Sequence, residues 1–414
     1  MQHDKAMADG VKDRPRLWVV TECYYPEVVS TGQYLTEIAE GLAGDFDVKV
    51  ICGQPNYLSR GTKAKKHEIR NGVEIFRAWS TLFDKNVVIN RVVNMLTLGV
   101  SMFFVSLRKF RKGDKVLVVT APPNLPFSTA VASLSRGGSY TLLIHDLYPD
   151  QLVALDKLRE GSIFRKLLDF GNRWLFKFAN KIIVVGRDMS ELVQRKTDGL
   201  DIPIKVIPNW ADIDVVRPTP RGENLLLREL GVEGKLVILS AGNIGRPTDI
   251  ETVAECAGML KDDDRFHFIF VGWGAKGSWL TAEVERRGLG NVSIVGQKPR
   301  SEQIVFLNAC DIALVSLAKK MWGTAMPSRT YNVMAAGKPI LAIADEGSEL
   351  SRVIADDEIG WHITPGSPEL MKSTLLEIYD DRDKLEEMGS RARLAAENRY
   401  SLNAAVEKYR EALK

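Results

Sequence analysis

The sequence predicts an α/β protein built from two Rossmann-like, doubly wound domains that face each other across a cleft. The chain has 414 residues, which is more than one typical hydrophobic core accommodates. Short apolar runs alternate with helical patterns along almost the whole length, as is typical of parallel sheets wrapped by helices. This alternation occurs twice. A polar stretch with three prolines at 208–223 separates the two series, as a linker would.

The predicted strands follow the apolar runs in chain order. In the first series they lie at 17–21, 48–52, 73–77, 116–120, 141–144, 182–185 and 205–207. In the second series they lie at 236–240, 267–271, 292–295, 312–315, 340–344 and 361–363. Ligands of such sheets bind outside the carboxyl ends of the strands, so the loops that follow strands are the places to search for a site.

The sequence also predicts where the domains begin and end. The expected segments are a disordered, charged tail at 1–14, a first domain at 15–207, the linker at 208–223, a second domain at 224–384 and C-terminal helices at 385–414. The helical pattern of the last segment breaks near Tyr400 and Ser401. The final helix either packs on its own domain or crosses back to the first, and the sequence leaves both open.

The charge distribution limits the classes of partner, and the cysteine content indicates the compartment. Residues 1–210 carry 30 Lys and Arg against 22 Asp and Glu, whereas residues 211–414 carry 26 against 31. The basic residues form no recognised nucleic-acid motif and the second half is acidic, which disfavours nucleic-acid binding. Four cysteines without metal-ligand spacing, and no leading secretory pattern, favour a reducing, cytoplasmic compartment.

The loop after the first strand of the second domain is a candidate phosphate site. Three of its residues are small or polar enough to bring a ligand close to the backbone: Gly242, Asn243 and Gly245. Arg246 adds donors suited to a diphosphate. The next such loop contains Gly272 and Lys276. It has the same strand-to-helix form, and a plain turn explains it equally well.

The segment 326–339, MPSRTYNVMAAGKP, predicts a helix start that faces a phosphate. Ser328 can cap free backbone N–H groups, and Arg329 adds a rigid fork of donors. Gly337 ends the helix before an apolar strand at 340–344. An ordinary helix–turn–strand unit explains the same pattern, so both interpretations stay open.

Three further positions at strand ends or helix starts are candidates. Glu349, next to Ser348, begins a helix and is suited to two ribose hydroxyls, although acidic residues are common in first helical turns for dipole reasons alone. Gly32 opens a helix after the first strand and gives a ligand access to backbone donors. His145 follows a strand and can orient a substrate hydroxyl. A packing turn and a structural histidine are the alternatives for the last two.

Together these segments make the chain resemble the retaining glycosyltransferases of family 4, which have the GT-B fold. VIPNWADID at 206–214 is similar to the family's interdomain signature, GNIGR at 242–246 to its diphosphate loop, and MAAGKP at 334–339 to its helix beside the nucleotide. The order and spacing of the three motifs carry the resemblance over roughly 15–414. The most similar subgroup assembles bacterial exopolysaccharide and O-antigen, including the colanic-acid type.

Three positions depart from the family pattern. Many members have two glutamates, eight positions apart, where this chain has Thr324 and Asn332, and a lysine where it has Glu251. The resemblance then implies that Asn332 hydrogen-bonds a ribose or sugar hydroxyl and that Glu349 supplies the missing carboxylate. It leaves Arg329, with Lys276 as a further candidate, to act beside Arg246 as the second cation.

The resemblance implies transfer of a hexose or related sugar from a UDP- or GDP-linked donor to a hydroxyl acceptor, with retention and without a metal or cofactor. It implies that the first domain binds the acceptor and the second the nucleotide sugar. Arg246 and Arg329 would stabilise the leaving diphosphate, and His145 would hold the donor sugar. The other donor-binding candidates are Gly32, Gly242, Asn243, Gly245, Gly272, Lys276, Ser328, Asn332, Ser348 and Glu349. Two rivals stay open: a sugar-nucleotide epimerase of the same architecture, and a GT-B binding module without activity.

The apolar run at 87–107 bears on the acceptor. Its length approaches that of a spanning helix, but Asn90, Arg91 and Asn94 interrupt it early. A partly exposed helix lying in a membrane interface fits better, and a buried core helix is the alternative. Five basic residues follow within 108–115 and favour anionic lipid. We therefore expect a lipid-linked saccharide acceptor, and a cytoplasmic protein that either is free or lies peripherally on the inner face of the cytoplasmic membrane.

Overall fold

A computed structural model describes residues 14–27, 29–56, 62–84 and 87–414. They form two α/β domains, each with a central sheet and helices on both faces. The predicted two-domain, doubly wound architecture is therefore confirmed. The predicted tail at 1–14 lies, except for its last residue, outside the described residues.

The first domain has an eight-stranded sheet. Its strands are β1 (Arg16–Val20), β2 (Asp47–Cys52), β3 (His67–Arg70), β4 (Val73–Arg77), β5 (Lys115–Val119), β6 (Ser139–Ile144), β7 (Lys181–Val184) and β8 (Ile204–Val206). The order is β3-β4-β2-β1-β5-β6-β7-β8, and all pairs are parallel except β3 with β4. The central strands are continuous apolar runs because helices cover both faces. The edge strand β3, HEIR, has no counterpart among the predicted strands because only one of its residues is apolar.

The helices of this domain divide between the two faces. They are α1 (Ser30–Leu42), α2 (Val88–Lys109), α3 (Leu125–Ser135), α4 (Asp150–Ala154), α5 (Ile163–Lys177) and α6 (Arg187–Lys196). Buried side chains of α2, α3, α5 and α6 join one core with one face of the sheet, and those of α1 join a second core on the other face.

The second domain has a six-stranded, wholly parallel sheet. Its strands are β9 (Leu236–Ala241), β10 (Phe266–Val271), β11 (Val292–Gly296), β12 (Ile312–Ser316), β13 (Ile340–Ile343) and β14 (Gly360–Ile363), in the order β11-β10-β9-β12-β13-β14. Its helices are α7 (Leu225–Leu230), α8 (Ile250–Met259), α9 (Gly277–Arg287), α10 (Gln303–Leu307), α11 (Arg329–Ala335), α12 (Glu349–Asp357), α13 (Pro368–Asp380) and α14 (Asp383–Arg399). Side-chain caps fix several helix starts, as when Asp249 accepts a hydrogen bond from the Thr252 N–H at 3.2 Å.

The last helix, α15 (Leu402–Leu413), crosses back and packs on α1 of the first domain. The two helices approach closely at Gly41, where an added Cβ would lie 2.5 Å from Cγ2 of Val406. The chain leaves α14 at Tyr400, whose carbonyl accepts a hydrogen bond from the Ala211 N–H at 2.6 Å. The chain therefore passes between the domains twice, and the two passages lie side by side.

The helix α2 is partly exposed, as the favoured prediction for 87–107 has it. Within the described residues it is the one helix long and apolar enough to cross a membrane. Its inner side packs through residues such as Leu98 and Met102. A stripe on its outer side is exposed, at Val88, Val92, Leu96, Val100 and Phe104.

Candidate active site

A cleft of about 380 Å³ lies between the two domains. The carboxyl ends of several strands from both sheets open into it, which is where ligands of doubly wound sheets bind. Its polar wall contains residues of the first domain, the linker and the second domain: Ser30, Thr31, Tyr34, His145, Asp146, Gln151, Asn209, Gly242, Asn243, Gly245, Thr248, Ser316, Ser328 and Arg329. Six of the residues predicted from the sequence are among them: His145, Gly242, Asn243, Gly245, Ser328 and Arg329.

Arg329 is a cation in this wall without a carboxylate partner. Its Nη1 donates to the Ala241 carbonyl at 3.0 Å and its Nη2 approaches the Asn243 carbonyl at 3.4 Å. No Asp or Glu of the described residues pairs with it. Burial lowers the pKa of Arg329 to about 10, so the guanidinium stays charged at neutral pH. A desolvated, unpaired cation that lines a cleft is suited to an anionic ligand.

The loop after β9 presents backbone donors beside this guanidinium. Gly242 has φ +126°, and an added Cβ there would lie 3.2 Å from Nη1 of Arg329. The backbone N–H groups of Asn243 and Gly245 have no acceptor among the described residues. Gly272 lies behind the loop, where an added Cβ would lie 1.9 Å from the Gly242 carbonyl oxygen. Gly272 thus lets the two loops pack together and does not itself line the cleft.

Arg246 and Lys276 lie outside the cleft wall. Arg246 is exposed and has no hydrogen-bond or ion-pair partner within the described residues. Nζ of Lys276 donates to the Thr248 carbonyl at 2.7 Å and to Oε2 of Glu251 at 2.8 Å. The charge of Lys276 is therefore already paired, whereas Arg246 has to turn from solvent to reach a ligand.

His145 and Asp146 form the opposite wall. Burial lowers the pKa of His145 to about 4, so the imidazole is neutral near pH 7 and offers one donor and one acceptor. Oδ1 of Asp146 accepts a hydrogen bond from Nε2 of Gln151 at 2.8 Å. The loop also touches the second domain, because the Leu147 N–H donates to the Thr324 carbonyl at 3.0 Å. His145 is thereby held close to the segment that leads to Arg329.

The starts of α1 and α11 differ from the expectation. Gly32 packs against the loop after β1, where an added Cβ would lie 3.1 Å from the Glu27 carbonyl oxygen, and its neighbours line the cleft instead. The predicted cap by Ser328 is not formed. Ser328 itself has helical dihedrals, φ −63° and ψ −23°, which do not place its hydroxyl over the following N–H groups. Ser328 and Tyr34 both line the cleft, and the Tyr34 hydroxyl donates to the Trp210 carbonyl at 3.2 Å.

Three other predicted residues also lie outside the cleft wall: Asn332, Ser348 and Glu349. Each of them is hydrogen-bonded within the protein. Oδ1 of Asn332 accepts from the Asp212 N–H of the linker at 3.0 Å. Ser348 caps α12 by accepting from the Ser351 N–H at 3.3 Å. Ligand contacts by these residues stay predictions, and in this arrangement a ligand would have to displace a protein partner.

Glu349 belongs to a contact between α6 and α12, which we call the α6–α12 contact. Its Oε2 accepts from the backbone N–H of Arg187 at 2.7 Å and from Nε of Arg187 at 2.9 Å. In return, Oδ2 of Asp188 accepts from the N–H groups of Glu349 at 2.9 Å and Gly323 at 3.0 Å. Burial raises the pKa of Glu349, opposed by the hydrogen bonds from Arg187. Each domain thus supplies a carboxylate that accepts from a backbone N–H at the start of a helix in the other domain.

Sequence reasoning missed several residues of the wall. Ser316 ends β12 and Asn209 follows β8, so the rule that sites lie at the carboxyl ends of strands would have found both. Tyr34 and Gln151 lie on helices and carry no such signal. In the part of the chain that the structure describes, no group of three or more His, Cys, Asp or Glu side chains lies together as a metal site requires.

Comparisons with known proteins agree with this architecture. A family model described as glycosyl transferases group 1 matches residues 226–395. The probable glycosyltransferase WbjE of Pseudomonas aeruginosa is 32% identical over 303 residues, which cover 72% of this chain and 74% of that protein. The putative colanic acid biosynthesis glycosyl transferase WcaI of Escherichia coli K12 is 24% identical, over 80% of this chain and 83% of its own length.

Solved structures show the same fold across both domains. Sucrose-phosphate synthase from Thermosynechococcus elongatus superposes with a TM-score of 0.76 at 14% identity, covering 96% of this chain and 98% of that chain. HepE of Anabaena, solved with UDP, superposes with a TM-score of 0.71 at 16% identity, covering 96% and 99%. The two sheets and the cleft between them are those of the GT-B fold. The chain belongs to the group 1 glycosyl transferases, as its similarity to the family model and to WbjE shows.

Proposed function

We propose that the protein transfers a sugar from a nucleotide-diphosphate donor to a saccharide acceptor in the synthesis of a bacterial surface polysaccharide. The observation that carries the donor class is Arg329, a half-buried cation that no carboxylate of the described residues pairs with. It lies beside the N–H groups of Asn243 and Gly245, which have no acceptor among those residues. The relative WcaI, named for colanic acid biosynthesis, supports the polysaccharide class. HepE, solved with UDP and with UDP-glucose, makes a uridine donor the first to test and a guanosine donor the second.

The cleft supports the chemistry of a departing diphosphate. As the glycosidic bond breaks, negative charge grows on the diphosphate, and preorganised donors stabilise that charge more than they stabilise the bound donor. Arg329 and the two free N–H groups supply such donors, and Arg246 adds a second guanidinium when it turns inward. Neutral His145, on the other wall, hydrogen-bonds the hydroxyls of the transferred sugar.

The proposal includes retention of the anomeric configuration and no metal requirement. In the retaining route, the acceptor hydroxyl attacks on the face that the diphosphate leaves, and the diphosphate helps to take the acceptor proton. The two domains touch where the Leu147 N–H donates to the Thr324 carbonyl, and closure of the cleft around the substrates would exclude water. The charge on the leaving group is then balanced by the guanidinium groups and backbone donors named above.

The proposed acceptor is a saccharide carried on a lipid. The exposed apolar stripe of α2 is followed directly by Arg108 and Lys109 in its last turn. An amphipathic helix with basic residues at its end binds the interface of an anionic membrane. An enzyme held in this way meets a polyprenyl-diphosphate sugar at the surface where that sugar is anchored.

The function is tested first by donor binding and transfer. UDP-sugars and GDP-sugars are screened by thermal shift, because a bound donor raises the melting temperature by mass action. The donor that binds is then incubated with a polyprenyl-diphosphate-linked sugar and, in parallel, with no acceptor. Transfer to the lipid-linked sugar supports the proposal. Conversion of the donor without acceptor identifies an epimerase, and binding without any turnover identifies a binding module.

Two further measurements test the finer points. The anomeric configuration of the product, determined by NMR coupling constants, is expected to match that of the donor. The rate of transfer is expected to be the same with a metal chelator as without it. Inversion at the anomeric carbon contradicts the retaining mechanism, and a rate that the chelator abolishes and added metal restores contradicts metal independence.

A further inference from the structure

The outer side of α5 exposes several large apolar side chains. A helix that packs on a sheet normally turns its large apolar side chains inward. α5 buries Leu175 and Phe176 near its end and exposes four other large apolar residues: Ile163, Phe164, Leu167 and Phe170. Ile163 is 86% exposed and Phe170 is 74% exposed. The catalytic cleft does not account for these side chains, because none of them lines it.

The outer side chains of α5 follow a helical period. The exposed apolar members recur every three or four residues and form one stripe, Ile163, Leu167 and Phe170, which half-buried Trp174 continues towards the core. The basic members flank this stripe on one side: Lys166, Arg173 and Lys177. Nζ of Lys177 also lies 5.6 Å from the ring centroid of Phe178, which in turn contacts Trp174. An apolar stripe with a basic border is the pattern of a helix that lies in a membrane interface.

α5 and α2 face the same side of the domain. Both pack on the same face of the sheet, with α3 between them. At the α3–α5 contact, an added Cβ at Gly171 would lie 3.4 Å from the Phe127 ring. At the α2–α3 contact, Nδ2 of Asn124 donates to the Met95 carbonyl at 2.9 Å. Val131 of α3, the helix between them, is exposed as well. The apolar stripes of α2 and α5 therefore belong to one outer surface, which we call the three-helix face.

The charge of the three-helix face indicates whether a second copy of the chain or a lipid surface binds there. Residues 87–112 contain five basic and no acidic residues, and residues 157–178 contain six basic and two acidic residues. In a symmetric dimer the same face of a second copy would bring these like charges together, which costs free energy. An anionic lipid surface complements both the apolar stripes and the basic borders.

We propose that the three-helix face docks on an anionic lipid bilayer, with α5 as a second membrane-contacting helix beside α2. In a parallel sheet the crossover helices run antiparallel to the strands, so α2 and α5 begin at the edge where the strands end. That edge borders the cleft. The purpose of this docking rests on the proposed lipid-linked acceptor, whereas the docking itself is measured without any acceptor.

The test is sedimentation of the full chain with large vesicles. One set is phosphatidylcholine alone and the other is phosphatidylcholine mixed with phosphatidylglycerol. We expect the wild type to sediment with the anionic vesicles and to be partly released by high salt. Leu167→Glu/Phe170→Glu in α5 is expected to weaken this binding at least about ten-fold. The matched control is Leu370→Glu/Leu394→Glu in the second domain, at side chains 48% and 57% exposed, and is expected to change nothing.

Three results would overturn the inference. The first is an α5 variant that binds as tightly as the wild type while Val92→Glu/Leu96→Glu in α2 abolishes binding, because α2 then acts alone. The second is a wild type that binds neither kind of vesicle. The third is a wild-type dimer, shown by light scattering, that the α5 substitutions convert to a monomer, because the face is then a subunit interface. UDP binding, measured on the same variants, separates these results from a failure of the proposed function.

Discussion

Two polar regions between the domains satisfy their charges in different ways. In the cleft, Arg329 contacts backbone carbonyl groups, and no carboxylate of the described residues pairs with it. In the α6–α12 contact, Arg187 pairs with Glu349 at 2.9 Å and with Asp356 at 2.5 Å. Buried Asp188 accepts from backbone N–H groups of both domains. One region leaves a charge for a ligand, and the other uses its charges within the protein.

This difference separates a ligand site from a structural contact more clearly than residue type does. Arg329 and Glu349 both begin helices that follow loops of the second domain, and either residue is suited to a nucleotide. Only the partners in the folded chain distinguish them. A buried charge without a partner costs stability, so its replacement and the replacement of a paired charge should have opposite effects on folding.

The largest expected effect is that of Arg329→Met on catalysis. Loss of this donor to the departing diphosphate should lower kcat/KM for the nucleotide sugar about 100-fold, or about 2.7 kcal/mol. The melting temperature should change little or rise, because a half-buried cation without a carboxylate partner is removed. Initial rates and scanning calorimetry measure both. A variant with wild-type kcat/KM would remove Arg329 from the site.

The second effect, on stability, is that of Arg187→Met. It leaves the Glu349 carboxylate buried without a cation. Breaking a buried pair costs roughly 3–5 kcal/mol, but the Arg187 side chain is 41% exposed and screened by water, so we expect about 2 kcal/mol from urea unfolding. Donor kcat/KM should stay within about threefold. Burial raises the pKa of Glu349, so the loss should become smaller as the pH falls and this carboxyl takes up a proton, because the neutral form needs no cation.

A matched control for Arg187 is Arg352→Met in the same contact. Arg352 pairs at 2.6 Å with Glu191, whose side chain is 40% exposed. An exposed pair of this kind contributes less than about 1 kcal/mol. If Arg187→Met instead leaves stability unchanged and abolishes donor binding, the α6–α12 contact is part of the site.

The third prediction concerns Arg246→Met. Arg246 is exposed and outside the cleft wall, so its contact with the diphosphate is partly screened and requires a turn from solvent. We expect kcat/KM to fall about ten-fold, or about 1.4 kcal/mol, with no change in melting temperature. A loss larger than that of Arg329→Met, in the same rate assay, would reverse the ranking of the two arginines.

The smallest effect is the pH response of His145. Burial lowers its pKa from 6.5 to about 4, so kcat/KM for donor should show no inflection near pH 6.5. A histidine with a lowered folded pKa stabilises the fold above its unfolded pKa. That contribution is lost as pH falls from about 6.5 towards about 4. His267, whose pKa burial also lowers to about 4, adds to this loss, so His145→Gln should reduce it without abolishing it in urea unfolding.

The fold was predictable because its strands are buried on both faces. Runs such as 236–240 and 312–315 are continuous and apolar, and helices with their own period separate them. The edge strand β3 lacks that signal. The crossing of α15 was undecided because an amphipathic helix fits either domain, and its place depends on the close approach at Gly41.

The site was less predictable because its partners are distant in the chain. The loop at Gly242 and Gly245 was found because two glycines and an arginine lie between a predicted strand and a predicted helix, a pattern that the local sequence carries. Glu349 and Asn332 were predicted to contact the ligand, and their protein partners could not be foreseen because those partners lie 162 and 120 positions away in the chain. The stripe on α5 was missed for another reason. A helix shows the same periodic pattern whether its apolar side faces the core or the solvent.

The double passage of the chain between the domains restricts how the cleft can open. Two domains joined by a single linker can rotate relative to each other about any axis. Here the linker at Ala211 and the passage at Tyr400 are tied to each other by a backbone hydrogen bond. Two adjacent connections act as a hinge, so the domains rotate relative to each other largely about the axis that joins the two connections. The cleft then opens and closes along one path, and each closure brings its two walls back to the same relative position.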